Sequence, residues 1–264
     1  MATDPALAAH FLSLHRGDTP LLLANAWDAG TAKALAAVGF AAIATTSAGF
    51  AATLGRHDGK VTRDEAIAHG ADLVAAVDVP VSADLENGFA DSPEEVAATV
   101  RLAVEAGLAG CSIEDYDGAA LYDAGLARER VAAAVEAAGD HLVLTARAEN
   151  HIRGVQDLDD TIARLQAFQE AGAPVLYAPG VIDPEQIERV VGSVDRPINV
   201  LALPGAPTVS ELGALGVGRI SVGSGFSLVA YGALVTAARE LLDEGTYGWW
   251  ATAGRANEVR GAFD

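Results

Sequence analysis

The chain has 264 residues, 51% of them hydrophobic and 20% charged, a balance that excludes disorder along its length and suits one large α/β domain. Its 17 Lys and Arg stand against 36 Asp and Glu, and the net charge of −19 repels phosphate backbones and anionic lipid. Nucleic acid and membrane are therefore not expected partners. The single cysteine, Cys111, allows neither an internal disulfide nor a cysteine zinc site. No stretch of 18 uninterrupted apolar residues occurs, and Met1-Ala2-Thr3-Asp4-Pro5 is unlike a signal peptide, so a reduced, cytoplasmic protein is expected.

Eight short apolar runs follow one another, at 21–26, 41–46, 79–84, 110–114, 142–147, 175–178, 198–201 and 219–222. Each is bounded by Gly, Pro, Asp or Asn, as buried parallel strands are. Between them apolar residues recur with helical period, and several segments carry start signals. Thr62 with Glu65 and Thr208 with Glu211 read as capping boxes, and Ser92-Pro93 and Asp183-Pro184 place a proline at the first helical position. Eight strand–helix units in about 250 residues predict a (β/α)8 TIM barrel. A doubly wound open sheet of this length would carry fewer strands. No linker divides the chain, so residues 1–264 are read as one domain. The eighth helix, near 228–244, opens on a continuous apolar run from Leu228 to Val235. The tail beyond it, with Tyr247, Trp249 and Trp250, either closes the barrel or meets another subunit.

In such a barrel chemistry sits where strands end and loops begin. The first strand ends at Asn25-Ala26-Trp27-Asp28, the second at Thr45-Thr46-Ser47-Ala48-Gly49, and the third at Asp84-Leu85-Glu86-Asn87-Gly88. Glu114-Asp115 ends the fourth, Arg147-Ala148-Glu149 the fifth, and Asn199 marks the seventh. Strand periodicity puts Ser82, Asp84 and Glu86 on one face, Ser112 with Glu114 on another, and Thr145 with Arg147 on a third. If these faces point inward, three carboxylates and Arg147 meet in one mouth. Such a cluster needs compensation by a cation or protons, and its all-oxygen character suits Mg²⁺, with Mn²⁺ as a substitute, better than zinc. The competing reading makes some of these acids helix caps or partners of Arg147.

These pieces, together with Gly110-Cys111-Ser112-Ile113-Glu114-Asp115, Ala171-Gly172-Ala173 and Gly216-Val217-Gly218-Arg219-Ile220-Ser221, resemble the isocitrate lyase/phosphoenolpyruvate mutase superfamily over most of the chain. The resemblance implies a Mg²⁺ site at Asp84, Glu86 and Glu114, mostly through water, and a 2-oxo acid bound through its carboxylate and carbonyl. It implies that Arg147 and Thr46-Ser47-Ala48 hold the substrate's anionic groups. It also implies that Asp58, in the Gly-flanked segment 53–60, takes part in catalysis from a closing loop, and that the enzyme is a homodimer or homotetramer with a swapped eighth helix. With the strand-end positions added, the expected substrate-binding residues are Trp27, Thr46, Ser47, Ala48, Asp84, Arg147 and Asn199. Asp58 and Arg147 are the expected catalytic residues.

Two family signatures are missing. The Lys-Lys/Arg-Cys-Gly-His loop of the isocitrate and methylisocitrate lyases has no counterpart, since Tyr116-Asp117-Gly118 follows Asp115. The Pro-Lys-x-Asn-Ser run of the mutase branch is absent too, and no lysine follows Lys60. Lys33 and Lys60 also lie badly for a Schiff base, and no dinucleotide fingerprint follows the first strand. What remains predicts a lyase cleaving a bond at C3 of a small 2-oxo acid through an enolate, by oxaloacetate-like decarboxylation or carbon–carbon cleavage. Carbon–phosphorus chemistry on phosphonopyruvate is the alternative, and a non-catalytic 2-oxo-acid sensor is the alternative of another class. Cys111 shares a strand face with Ile113, opposite Glu114, so it is expected to be packing; protonation of the enolate would come from Asp58 or a bound water.

Overall fold

The structure, a computed structural model, describes residues 3–263; Met1, Ala2 and Asp264 of the predicted domain and its N-terminal segment lie outside the described residues. Eight parallel strands close into a barrel in sequence order: β1 (Leu21–Ala26), β2 (Ile43–Thr45), β3 (Val81–Asp84), β4 (Gly110–Glu114), β5 (Val143–Arg147), β6 (Val175–Tyr177), β7 (Ile198–Leu201) and β8 (Arg219–Ser221), which pairs back onto β1. The surrounding helices are α1 (Pro5–Leu14), α2 (Ala29–Val38), α3 (Ser47–Thr53), α4 (Arg63–Ala76), α5 (Pro93–Glu105), α6 (Ala124–Ala138), α7 (Leu158–Glu170), α8 (Pro184–Val191), α9 (Val209–Ala214) and α10 (Gly225–Arg239). This is the (β/α)8 barrel that the eight apolar runs predict.

Three strands match their runs residue for residue, and the other five are one to three residues shorter. At β3 the reason is Pro80, which has no N–H to give the ladder and offers only its carbonyl, accepting from the Ile43 N–H at 2.9 Å. Both capping boxes form: Thr62 and Glu65 exchange side-chain and backbone bonds at the start of α4, as Thr208 and Glu211 do at α9. Ser92 and Asp183 cap α5 and α8 ahead of their prolines.

Two helices escape the sequence reading. The Asp4-Pro5 signal matches Asp183-Pro184, and Asp4 accepts from the Ala6 N–H at 2.9 Å to open α1. This helix plugs the N-terminal end of the barrel, where Phe11 packs on Leu21, Leu23, Ala44, Val143 and Val175. Gly110 is required there, because a Cβ on it would come within 2.6 Å of the Phe11 ring. The second is α3, which begins at Ser47 inside the segment read as a loop and is capped by Thr46.

The eighth helix starts three residues before the stretch read from the sequence. It begins at Gly225, runs on through Glu244 in a wide turn, and lies almost wholly in solvent, with Leu228, Val229, Leu234 and Leu242 between 63% and 82% exposed. Among the described residues this 20-residue stretch alone is long and apolar enough, by length and composition, to cross a bilayer. That corrects the expectation that no segment could.

Between the barrel and its helices lies the main apolar layer, and Cys111 and Ile113 belong to it while Ser112 and Glu114 turn inward. Burial pushes the Cys111 thiol up to about 12, so at neutral pH it carries almost no thiolate. Cys111→Ala should lower stability by about 1 kcal/mol through lost packing, and folded protein should resist alkylation until denaturant is added. Fast alkylation of the native protein would contradict this placement.

Candidate active site

At the C-terminal mouth the strand ends enclose a cavity of about 220 Å³. Its wall holds Arg147, Asp84, Thr46 and Ser47, and its floor reaches Tyr177 and Arg219. A wider cleft of about 780 Å³ adjoins it, lined by Asp58, Asp84, Glu86, Glu114 and Arg153.

Arg147 organises the mouth. From the end of β5 its Nη1 donates to Asp84 Oδ1 at 3.0 Å, its Nη2 meets Glu149 Oε1 at 2.8 Å, and Glu114 Oε2 lies 3.5 Å away. Burial opposes its charge, but Glu149, Glu114 and Asp84 outweigh that and hold the guanidinium above its ordinary value. The register makes this possible, since Asp84 lies opposite Ser112 on β4, and Glu114 lies opposite Arg147 on β5. A second guanidinium, Arg153, reaches Glu114 Oε2 at 2.9 Å and Glu149 Oε2 at 3.0 Å, with its charge over the Tyr116 ring at 4.1 Å. Behind them Asp115 accepts from the Glu149 N–H at 2.8 Å and pairs with Arg164 at 3.0 Å, which fixes the loop carrying Glu149.

Glu86 stands apart from these pairs. Its Oε1 is buried with no hydrogen-bond partner, and its backbone sits at φ 48°, a left-handed conformation uncommon outside glycine. Burial first, then the Asp84 and Asp58 charges, push its carboxyl up to about 7. Glu114 is also raised, by burial before any charge.

The site thus carries three carboxylates, Asp84, Glu114 and Glu149, on two guanidinium groups, with a fourth, Glu86, beside them and paired with neither. Among the described residues no three acidic, His or Cys side chains converge into a direct metal cage. Glu114 and Asp84 turn to Arg147, as the competing reading foresaw, and Glu86 is left with a free oxygen. That donor set suits a hydrated divalent ion, which keeps most of its own waters, rather than an all-protein cage.

Of the other expected residues, Thr46, Ser47 and Ala48 line the cavity, and the Ser47 N–H points to Asp84 Oδ2 at 3.4 Å. Asp58, exposed on the loop between α3 and α4, borders both spaces. Trp27 and Asn199 do not line the cavity. Trp27 lies behind α3, its Cβ against Gly49, and Asn199 is buried in hydrogen bonds to Ser221 and Arg219. Sequence reasoning missed Arg153, Tyr177 and Arg219. The alternation of Arg219 and Ser221 on an inward strand face could have found Arg219; Arg153 sits on a one-turn helix with no such pattern.

Comparison with known proteins agrees with this geometry. The model of the phosphoenolpyruvate phosphomutase family matches residues 11–242. A solved structure of a candidate lyase/mutase from Burkholderia cenocepacia superposes with a TM-score of 0.94 at 46% identity, covering 98% of this chain and 96% of that one. An uncharacterised Mycobacterium tuberculosis protein is 36% identical over 81% of each chain. Oxaloacetate decarboxylase 2 of Pseudomonas fluorescens is 31% identical over 80% of this chain and 75% of its own length.

The raised Glu86 carboxyl makes stability depend on pH. A group that binds its proton more tightly when folded costs nothing below its ordinary 4.5 and increasingly destabilises as pH climbs toward 7. In chelator-treated protein, Glu86→Gln should therefore raise the thermal midpoint by roughly 2–4 °C at about pH 8, and the gain should vanish near pH 4.5. A gain that is constant with pH would refute this origin.

Proposed function

The chain belongs to the phosphoenolpyruvate phosphomutase family and is an enzyme of the lyase type, and from that premise we propose that it cleaves a bond at C3 of a small 2-oxo acid through an enolate. Oxaloacetate-like decarboxylation or carbon–carbon cleavage is the reaction that fits. One observation carries this reading: a guanidinium, Arg147, pinned by Asp84, stands with the under-satisfied acid Glu86 at the mouth of a cavity sized for a compact substrate.

In this reading Arg147, with its Asp84 and Glu149 bonds holding it in place, binds the substrate carboxylate, and the Thr46 hydroxyl and Ser47 N–H lie ready beside it. Asp84, Glu86 and Glu114 would hold Mg²⁺ or Mn²⁺, mostly through water, and the ion would supply positive charge where the enolate oxygen develops. Asp58 swings over the mouth with its loop and excludes water from the carbanion. The setting we assign is cytoplasmic, in keeping with the reduced Cys111.

Purified protein supplied with Mg²⁺ should release pyruvate from oxaloacetate above the metal-only background. Chelator should abolish this, and Mg²⁺ or Mn²⁺ should restore it. Asp58→Ala should keep the fold and cut turnover by about a hundredfold or more. Full activity in excess chelator would defeat the reading, and phosphonopyruvate cleavage in its place would assign carbon–phosphorus chemistry.

The same reading makes the protein a homodimer or homotetramer. An outer helix of a barrel normally covers its own strands, yet α10 projects its Leu228, Val229, Leu234 and Val235 into solvent, and the outward Leu22 of β1 is 41% exposed. Each of these surfaces supplies what the other lacks, which fits α10 crossing to a second barrel. Light scattering should return a multiple of the 26.9 kDa chain, and Leu234→Asp with Val235→Asp should shift it toward monomer. A wild-type monomer at micromolar concentration would defeat the swap.

A further inference from the structure

The cavity floor holds a charge that the reaction as proposed does not use. Arg219 is buried on β8, and among the described residues no carboxylate lies within ion-pair distance of it. Its Nε donates to Asn199 Oδ1 at 2.9 Å, and its Nη1 approaches Thr145 Oγ1 at 3.1 Å and His15 Nε2 at 3.2 Å. A guanidinium only donates, so this geometry dictates direction. His15 Nε2 must accept, which leaves Nδ1–H to donate to the Phe11 carbonyl and keeps the imidazole neutral; burial pushes it down to about 3. Asn199 must present its oxygen to Arg219, so its Nδ2 donates to Ser221 Oγ at 2.9 Å. The Ser221 hydroxyl is thereby turned to donate onward, and its neighbour is the phenol oxygen of Tyr177.

The chain of bonds ends there. The Tyr177 hydroxyl stands beside Ser221 among the residues lining the cavity, within reach of a molecule bound there. The Arg147 guanidinium lies over the Tyr177 ring, 5.3 Å from the ring centroid, and Arg219 lines the same cavity, so Tyr177 shares it with two fixed cations. Neither the thiol loop of the lyases nor a catalytic cysteine is available here, since Cys111 faces the helices. Asp58 is exposed, on the loop between α3 and α4 that borders the cavity and the wider cleft.

We propose that Tyr177 is the general acid that protonates the enolate carbon, with Arg219, Asn199 and Ser221 acting through it as positioning residues. The inference rests on the 2-oxo-acid reading and names the proton donor within it. As the bond from C3 to the departing carboxyl breaks, its electron pair becomes the enolate and carbon dioxide leaves. The Tyr177 O–H bond then breaks, its proton forms the new C–H bond at C3, and pyruvate results. The phenolate, flanked by Arg147 and Arg219, recovers a proton from water that enters as the products depart. Burial pushes the Tyr177 hydroxyl up to about 12, so the resting group carries the proton it must give.

The step runs in reverse as exchange of pyruvate's methyl hydrogens, which NMR in D₂O reads directly. With Mg²⁺ the wild-type protein should catalyse that exchange and should bind oxalate, a planar dianion shaped like the enolate, in a thermal-shift assay. Tyr177→Phe, which keeps the ring under Arg147, should bind oxalate as the wild type does while exchange falls by about a hundredfold or more. Ser221→Ala should leave oxalate binding and slow exchange by roughly tenfold, since the phenol loses its orientation. A Tyr177→Phe protein that exchanges at the wild-type rate overturns the assignment, and so does one that loses oxalate binding along with exchange. A wild type that turns over oxaloacetate and binds oxalate without exchanging pyruvate overturns Tyr177 as donor but leaves the lyase reading standing. A wild type that does none of these overturns both.

Discussion

Arg147 is the constraint from which the rest of the site follows. A buried guanidinium without counter-charge costs several kcal/mol, and here two consecutive strands and one loop contribute to its compensation: Asp84 from β3, Glu114 from β4 and Glu149 from just beyond β5. Because the strands are parallel and in register, their C-terminal ends reach the same height, and carboxylates from neighbouring strands can share one cation. The arrangement is also over-supplied with negative charge. Arg153 is drawn in from a less regular segment to meet Glu114 and Glu149, and Glu86 still has no partner. The site is therefore built around a pinned guanidinium and remains short of positive charge beside it, which is the polarity the proposed enolate chemistry would use.

The barrel interior is layered along its axis. Phe11 and the small and branched side chains around it form a dry plug at the N-terminal end. Above lies the uncharged-partner layer of Arg219, Asn199, Thr145 and neutral His15, whose hydrogen bonds are fully directed by the one residue that cannot accept. The carboxylate layer comes last, at the mouth. Positive charge thus sits beneath and negative charge above the cavity, a gradient that a fold built for stability alone has no reason to assemble, since Arg219 would be better replaced by an apolar group of similar volume.

Much of this was legible in the sequence because the signals were local. Apolar runs bounded by turn residues located all eight strands, and alternation along β3, β4 and β5 assigned Asp84, Glu114, Arg147 and Cys111 to their faces. Capping boxes located α4 and α9 for the same reason: each is a contact between residues three apart. What stayed hidden depends on distance across the barrel. Trp27 and Asn199 stand at or near strand ends, and the spacing of strand ends does not say whether such a residue faces the cavity, lies behind α3, or belongs to the layer below. Arg153 and Tyr177 carry no motif of their own; they become site residues only through the partners that closure brings to them. The apolar run at Leu228 was visible, but whether it faces a home barrel or solvent is decided by tertiary placement.

Glu86 shows how the local and the global come together. Its φ of 48°, its orphaned Oε1 and its raised carboxyl are three separate departures from what folding favours, and all fall on one side chain at the end of β3. Such departures persist when the surroundings over-determine them. Here the turn is fixed from both sides, by the Gly88 N–H bonding to the Leu85 carbonyl and by the Glu114 N–H bonding to the Glu86 carbonyl at 2.9 Å. The backbone bond to β4 therefore holds Glu86 where its carboxylate must face Asp84 and Asp58 rather than escape to solvent. The repulsion is built into the sheet edge, so it cannot relax by side-chain motion alone. A cation in the mouth, as the proposed function requires, would relieve it, and the strain at this residue would then belong to the chemistry of the cavity rather than to the stability of the barrel.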